Sequence, residues 1–340
     1  MPTISVLMPV YNAAAYVADA IHSLLSQTYS DFELIVFNDG SSDESSEIIK
    51  SIRDERIIFI DSSENKGYVS HLNTGLSIAK GKYIARMDAD DISLPTRFAK
   101  QVALLESTPE VGLCGTFYQT FGASSVIPQM QVDNADINRV MLFQCPMAHP
   151  TTMFRKSLVD EYDLRYDTSY MPAEDYKLWY DFSKVTLIQN IPEILLHYRV
   201  HPHQVSSHMS GVQQINASKV RLIQLLNKGF ELSESEQDLY MRMFCFDGRP
   251  QTPQELTTVI NLAKKVKSEN SRLNAYKEEW IDNTLALTWR NIINSIYKFS
   301  PSHLASIFLL NKPFVIHFGA LNNLKIFLKC FLSWQVKIAK

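Results

Sequence analysis

Four short and almost uninterrupted apolar runs, Ile4–Val10, Phe32–Phe37, Arg56–Ile60 and Tyr83–Met87, punctuate the N-terminal part of the chain. A strand that is apolar at successive positions must be covered on both faces, which is the condition of a parallel sheet between two helical layers. The stretches between the runs supply those layers. Ala15–Gln27, Asp43–Arg53 and Tyr68–Ala79 carry apolar residues at i, i+3 and i+4, the spacing of an amphipathic helix. The sum is βαβαβαβ, a doubly wound α/β domain. Ligands of such sheets bind outside the carboxyl ends of the strands, so the residues that follow each run are the ones to inspect.

Those residues are polar and rich in acids. Tyr11-Asn12 follow the first run, Asn38-Asp39-Gly40-Ser41 the second, Asp61-Ser62 the third and Asp88-Ala89-Asp90-Asp91 the fourth. Carboxylates at three of four strand ends would repel a bare phosphate. They make sense if a divalent cation meets the hydrogen-bond donors of a base and a ribose there. Side chains at i and i+2 of an extended chain share a face, so Asp88 and Asp90 can converge on one ion. Oxygen-only ligands select Mg²⁺ or Mn²⁺. Such an ion acts as a Lewis acid toward a departing nucleoside diphosphate. The plainer reading of the same acids is that Asp90 or Asp91 caps the next helix.

Further along, Pro95–Glu106 reads as a helix, Val111–Phe121 as one strand or two, and the stretch to Ala173 as irregular. Glu174–Lys184 is helical in period, Ile194–Tyr198 is a strand, and the pattern beyond Val200 is helical throughout. Three regions are expected: residues 1–205 as the α/β domain, 206–283 as a helical extension and 284–340 as a basic tail. The tail stands out by charge. It holds seven Lys/Arg and no Asp or Glu, so the first 283 residues carry −10 against −3 for the whole chain.

Several classes are excluded by what is missing. Cys114, Cys145, Cys245 and Cys330 are far apart and form no CxxC or Cys/His pair at metal spacing, so they read as ordinary thiols of a reducing compartment. The loop after the first run, Tyr11-Asn12-Ala13-Ala14-Ala15, has no glycine, which argues against a dinucleotide oxidoreductase or a nucleotide-sugar pyrophosphorylase. The N-terminus lacks a basic signal-peptide region and no run of 18 uncharged apolar residues occurs, so a cytoplasmic protein without a membrane span is expected. Nucleic acid is disfavoured as a partner because the first 283 residues are acidic.

The stretch ISVLMPVYNAAAYVADAIHSLLSQTYSDFELIVFNDGSSDES, followed by NKGYVSHLNTGLSIAKGKYIARMDADDISLPTRFAKQ, resembles the family 2 glycosyltransferases of GT-A fold. The likeness continues through HPTTMFRK, AEDYKLWYDFSK and LLHYRVH, so it covers about residues 1–205. It implies a Rossmann-like nucleotide-diphospho-sugar transferase domain with a mostly helical C-terminal region. The implied activity is an inverting transfer that depends on Mn²⁺ or Mg²⁺. A UDP-sugar would be the donor, and a glycan or lipid-linked hydroxyl in cell-surface polysaccharide synthesis the acceptor. Pro9, Val10 and Tyr11 would line the base pocket, and Asp39 would bond the uracil edge or ribose. Lys66 and Asn73 would shape the loop over the nucleotide, and Arg86 and Asp88 would lie near ribose and phosphates. Asp90 would be the main metal ligand, with Asp88 and His201 beside it, and Arg199 would reach the diphosphate. One departure matters: the family usually has two acids before Gly-Ser, and this chain has Asn38-Asp39.

The resemblance makes Asp175 the catalytic base. An inverting transfer is a single in-line displacement that needs one base on the acceptor hydroxyl. A carboxylate at a helix start has its pKa lowered by the helix dipole, so the bland reading, in which Glu174 and Asp175 merely favour the helix N-terminus, has physical weight. His149 reads as acceptor-side or structural, and Trp179 and Tyr180 as core. In the tail, Leu324, Phe327, Leu328, Phe331 and Trp334 share a helical face, with Lys325, Lys329 and Lys337 on another. That pattern suits peripheral contact with an anionic inner membrane face, with a helical cap or a homodimer seam as the other reading. A catalytically inactive sugar-nucleotide-binding module is the remaining alternative, against which the intact Asp88, Asp90 and Asp175 argue.

Overall fold

The computed structural model describes residues 1–202, 210–245 and 253–293, and the chain divides into two compact units, Met1–Gln213 and Gln214–Lys340. In the first, β1 (Ile4–Val10) and β2 (Phe32–Asp39) are buried at every position, as their unbroken apolar pattern requires. The helix between them, α1 (Val17–Leu25), buries Val17, Ala20, Ile21 and Leu24. Next come α2 (Ser45–Ser51), β3 (Ile57–Ser62), α3 (Tyr68–Ile78), β4 (Tyr83–Arg86), β5 (Ile92–Ser93), α4 (Arg97–Ser107) and β6 (Val111–Gly122). The unit continues with α5 (Asn134–Met141), β7 (Met153–Arg155), α6 (Lys156–Glu161), α7 (Glu174–Ser183) and β8 (Leu187–Val200).

All eight strands form one sheet in the order β3-β2-β1-β4-β7-β6-β8-β5. The first four are parallel, with Val6 of β1 opposite Leu34 of β2 on one side and Ala85 of β4 on the other. Strand order therefore reverses at β1, and the crevice between β1 and β4 is the switch point where ligands of such sheets bind. Beyond β4 the sheet is mixed: β7 is antiparallel to both β4 and β6, and β8 runs parallel to β6. The two-residue β5 pairs antiparallel to β8, Ile92 opposite His197. That pairing folds the chain after Asp88 back against the end of β8.

Two expectations about this half need correction. The stretch from β6 to Ala173 is not irregular, since it holds α5, β7 and α6. A three-residue strand is too short to show a period, and β7 is a strand because β4 and β6 flank it. Strand β8 is also longer than Ile194–Tyr198. Pro192 falls where the register jumps from Thr116↔Ile191 to Phe117↔Ile194, so an irregularity accommodates the missing amide donor.

A single cluster packs β1, β2, β4 and α1 through Ile4, Val6, Met8, Ile21, Leu34 and Tyr83. Two glycines are dictated by close approach. A Cβ on Gly81 would stand 2.4 Å from Ser5 N, and one on Gly40, at φ +67°, would stand 2.8 Å from Asn65 N.

The C-terminal region is helical as expected, among the described residues: α8 (Ser210–Leu226), α9 (Glu234–Met243), α10 (Pro253–Leu273) and α11 (Glu278–Ile293). A capping box of Ser233 and Glu236 starts α9. The boundary expected at 205–206 lies outside the described residues; the two compact units divide at Gln213/Gln214, within α8. The boundary expected at 283–284 lies inside α11, where Thr284, Leu285 and Thr288 are buried. A change in charge is a matter of composition, and backbone hydrogen bonding continues through it. The tail faces from Leu324 onward lie outside the described residues. No helix among those described is long and apolar enough to cross a membrane. Cys114, Cys145 and Cys245 are free thiols, and Cys330 lies outside the described residues.

Candidate active site

The ends of β1 and β2 are laced together by side-chain to backbone bonds. Asn12, at φ +49°, accepts from Ser42 N, Ala13 N donates to Ser45 Oγ, and Ala14 N donates to Asp43. Pro9 and Val10 are buried beside this loop, and Tyr11 is 53% exposed. Asp39, at the end of β2, is almost fully buried. Its Oδ1 accepts from Lys66 N at 2.6 Å and lies 2.7 Å from His71 Nε2. The main chain of Lys66, not its ammonium, makes this contact, and the residue itself is exposed. Both ends of the Asn73 amide bond the main chain of Tyr166, so this residue fastens α3 to the chain before α7.

Asn38, the departure from two acids, has a clear physical role. Its Nδ2 donates to Asp61 Oδ1 at 2.7 Å across the β2–β3 pair, and its Oδ1 accepts from Ser41 N. A carboxylate there would face another carboxylate. The Lys50 ammonium and the Asn38 amide hold the Asp61 carboxyl below its ordinary range.

The chain leaving β4 builds an acidic cluster. The buried Arg86 donates to the main-chain oxygen of Met87 and to Asp88 Oδ1, while its Nε has no partner. Ligand atoms of Asp88, Asp90 and Asp91 lie within 4.8 Å of one another. Asp91 does not cap a helix, since α4 begins only at Arg97. It is buried, with Oδ1 accepting from Arg199 N and Oδ2 sealed without a partner. Burial first, then the charge of Asp88, pushes the carboxyls of Asp90 and Asp91 above the usual range. His201 Nε2 stands 2.9 Å from Asp90 Oδ2. An all-carboxylate donor set, destabilised by its own repulsion and holding one unpartnered buried oxygen, fits a hard divalent cation.

Arg199 braces this cluster. Its guanidinium lies between the rings of Tyr16 and Phe121, 4.6 and 4.4 Å from the centroids, and its Nε donates to the Asp90 carbonyl. Sequence reasoning assigned it to the diphosphate. The structure shows it first as the rivet joining the end of β8 to the metal loop.

Glu174 and Asp175 open α7, within electrostatic reach of Arg86. Burial pushes the Asp175 carboxyl up to about 6, although its Oδ1 accepts from Tyr176 N and Cys145 Sγ lies 3.7 Å from Oδ2. The lowering expected from the helix dipole is thus overridden by desolvation. Glu174 goes further, up to about 8, through burial and then the charge of Asp175, and its Oε2 has no partner. Such a pair separates its roles at neutral pH: Glu174 holds a proton while Asp175 is an anion able to take one. His149 is half-buried between Tyr166 Oη, 2.9 Å from Nε2, and Glu174 Oε1, 4.0 Å from Nδ1. Its burial, then the charge of Arg86, holds its pKa well below the ordinary value.

Of the expected residues, Arg86, Asp88, Asp90, Arg199, His201 and Asp175 are drawn to one crevice by contact or charge, and Asp39 stands at the neighbouring strand end. Sequence reasoning missed His71, Asp91 and Cys145 as participants. Only Asp91 carried a signal, its place in the run of acids; the other two are placed by packing.

A model of the family described as Glycosyl transferase family 2 matches residues 5–163. An uncharacterized glycosyltransferase of Haemophilus influenzae is 35% identical over 237 residues, 65% of this chain and 72% of that protein. The Escherichia coli UDP-Glc:alpha-D-GlcNAc-diphosphoundecaprenol beta-1,3-glucosyltransferase WfaP is 32% identical over 209 residues, 61% of this chain and 81% of that one. Among solved structures, S. aureus TarS 1-349 in complex with UDP matches with a TM-score of 0.57 at 17% identity, over 85% of this chain and 89% of that one, a likeness of fold.

Proposed function

The chain belongs to the family 2 glycosyltransferases, and from that premise we propose that it transfers a sugar from a UDP-sugar, with inversion, to a hydroxyl of a glycan or lipid-linked acceptor. One observation carries the reading. A half-buried carboxyl pushed up to about 6 by desolvation, Asp175, lies within electrostatic reach of Asp88 and Arg86, which supports a single site for a base and an acidic cluster. Asp175 takes the proton of the acceptor hydroxyl as its oxygen attacks the anomeric carbon. The bond from that carbon to the diphosphate breaks, and its electron pair leaves with the diphosphate. Asp88, Asp90 and Asp91, with His201 at their edge, would hold Mn²⁺ or Mg²⁺, which when bound supplies positive charge for the departing diphosphate. Arg86 holds Asp88 in place, and its charge also reaches Glu174 and Asp175.

A uridine donor is favoured because a carboxylate such as Asp39 accepts from the N–H of a uracil edge, and because the Escherichia coli relative is named for UDP-Glc. The same name, with its diphosphoundecaprenol acceptor, supports a lipid-linked acceptor, and such an acceptor would put the reaction at the inner face of a membrane, in polysaccharide synthesis. The region 284–340 would give peripheral contact with that membrane. The test combines a thermal-shift panel of UDP-, GDP- and CDP-sugars, with and without Mn²⁺, and a transfer assay. A shift specific to uridine and dependent on metal is expected. Asp175→Asn should remove transfer by about 10²–10⁴-fold and leave UDP binding intact. Undiminished turnover after exhaustive chelation would sink the metal assignment. Tight donor binding without turnover by the unaltered chain would leave only the inactive-module reading.

A further inference from the structure

We propose that His71 is a positioning residue for the donor: it fixes Asp39 Oδ1 and so leaves Oδ2 to select the nucleobase. The inference rests on the reading above that Asp39 meets the donor's base. His71 lies on α3, 5% exposed, with its ring 5.3 Å from that of Phe37 and tilted by 30°. Its Nε2 is 2.7 Å from Asp39 Oδ1. Opposite a carboxylate oxygen that nitrogen must carry the proton, because two lone pairs at this distance would repel.

Asp39 Oδ1 therefore has two donors, the imidazole from α3 and the Lys66 main chain from the turn before it. Oδ2 accepts from none of the described residues and is not among the fully sealed, unpartnered atoms, so it keeps a narrow strip of accessible surface although the side chain is only 3% exposed. A carboxyl group free to rotate would present either oxygen and lose entropy on binding. One held at Oδ1 by two donors presents Oδ2 in a single direction. Uracil offers an N–H at its ring edge where cytosine offers a lone pair. A fixed acceptor there attracts the first and repels the second, so the discrimination depends on the carboxylate being held. Among the described residues, the His71 side chain has no other polar partner. Neither Phe37 nor the helix needs an imidazole, and a core position next to Phe37 would accept an aliphatic or aromatic side chain.

The experiment uses the full chain and calorimetric binding of UDP and CDP. His71→Phe keeps a ring against Phe37 and removes the N–H, while His71→Gln restores a donor where Nε2 stood. The unaltered chain should prefer UDP. In His71→Phe the affinity for UDP should fall roughly tenfold or more and that for CDP little, so that the ratio collapses, and His71→Gln should recover most of it. If His71→Phe does not fold, His71→Leu takes its place. An unchanged UDP affinity and UDP/CDP ratio in the variant without the N–H overturns the inference. So does an equal loss for both nucleotides that His71→Gln fails to repair. Asp39→Asn separates the two levels. If it weakens UDP and His71→Phe does not, only the role of His71 falls. If it leaves UDP unaffected, or the unaltered chain binds no UDP, the donor reading falls and the inference with it.

Discussion

Replacing Glu174 with Gln probes the acidic pair without touching the base. Glu174 is 3% exposed, and burial, followed by the charge of Asp175, moves its carboxyl from an ordinary 4.5 up to about 8. At pH 7 the folded chain therefore holds a proton that the unfolded chain has released. A folded value above the unfolded one contributes stability that is fully present below about 4.5 and is lost as the pH rises through about 8. At ~1.4 kcal/mol per pH unit, the interval from 4.5 to about 8 caps the effect at ~5 kcal/mol. Because Asp175 is electrostatically tied to the same proton, about half of that, ~2–3 kcal/mol, is the expected share of Glu174. Gln has the same shape and cannot ionise. Thermal melts of the two proteins from about pH 5 to 9 should show the unaltered chain losing ~2–3 kcal/mol relative to Glu174→Gln, roughly 5–10 °C in Tm for a unit of this size. Transfer at pH 7 should persist, since Glu174 is already neutral there. The acid limb of kcat/KM should stay near 6, because it belongs to Asp175. Parallel melting curves, or a loss of transfer as complete as in Asp175→Asn, would refute the reasoning.

Two other substitutions test how the crevice is held. Arg199→Lys removes the planar contact with Tyr16 and Phe121 and the bond from Nε to the Asp90 carbonyl. It should cost about 1–2 kcal/mol in urea unfolding and raise the Mn²⁺ needed for half-maximal activity several-fold; an unchanged metal requirement would free Arg199 of the bracing role. Asn38→Asp places a second carboxylate opposite Asp61 Oδ1 and should destabilise by about 1–3 kcal/mol. Adding Asp61→Asn should restore most of that loss, and a double variant no more stable than the single one would contradict the pairing.

Much of this molecule was written in local pattern. Nearly unbroken apolar runs such as Ile4–Val10 favour cover on both faces, as in β1 and β2, so the parallel half of the sheet and its intervening helices could be read from residue order; the third run is the exception, since β3 is an edge strand with Ile58 exposed. The acids after the fourth run were legible as a group at a strand end, but β4 stops at Arg86 and Asp90 lies in a turn, so a turn and not extended-chain spacing brings Asp88 and Asp90 together. Other features needed the tertiary structure. The strand β7 exists only because β4 and β6 flank three residues of chain, and Asp91 joins the acidic cluster only because β5 turns back onto β8. Asp175 was visible as a carboxylate at a helix start, where the dipole alone would lower its pKa. Burial beside Glu174 reverses that sign, and His71 meets Asp39 only through the packing of α3 on β2. Periodicity reports which face of an element avoids water. Proton affinity and hydrogen-bond partners depend on which groups from distant parts of the chain are desolvated together, and that is decided only when the elements pack.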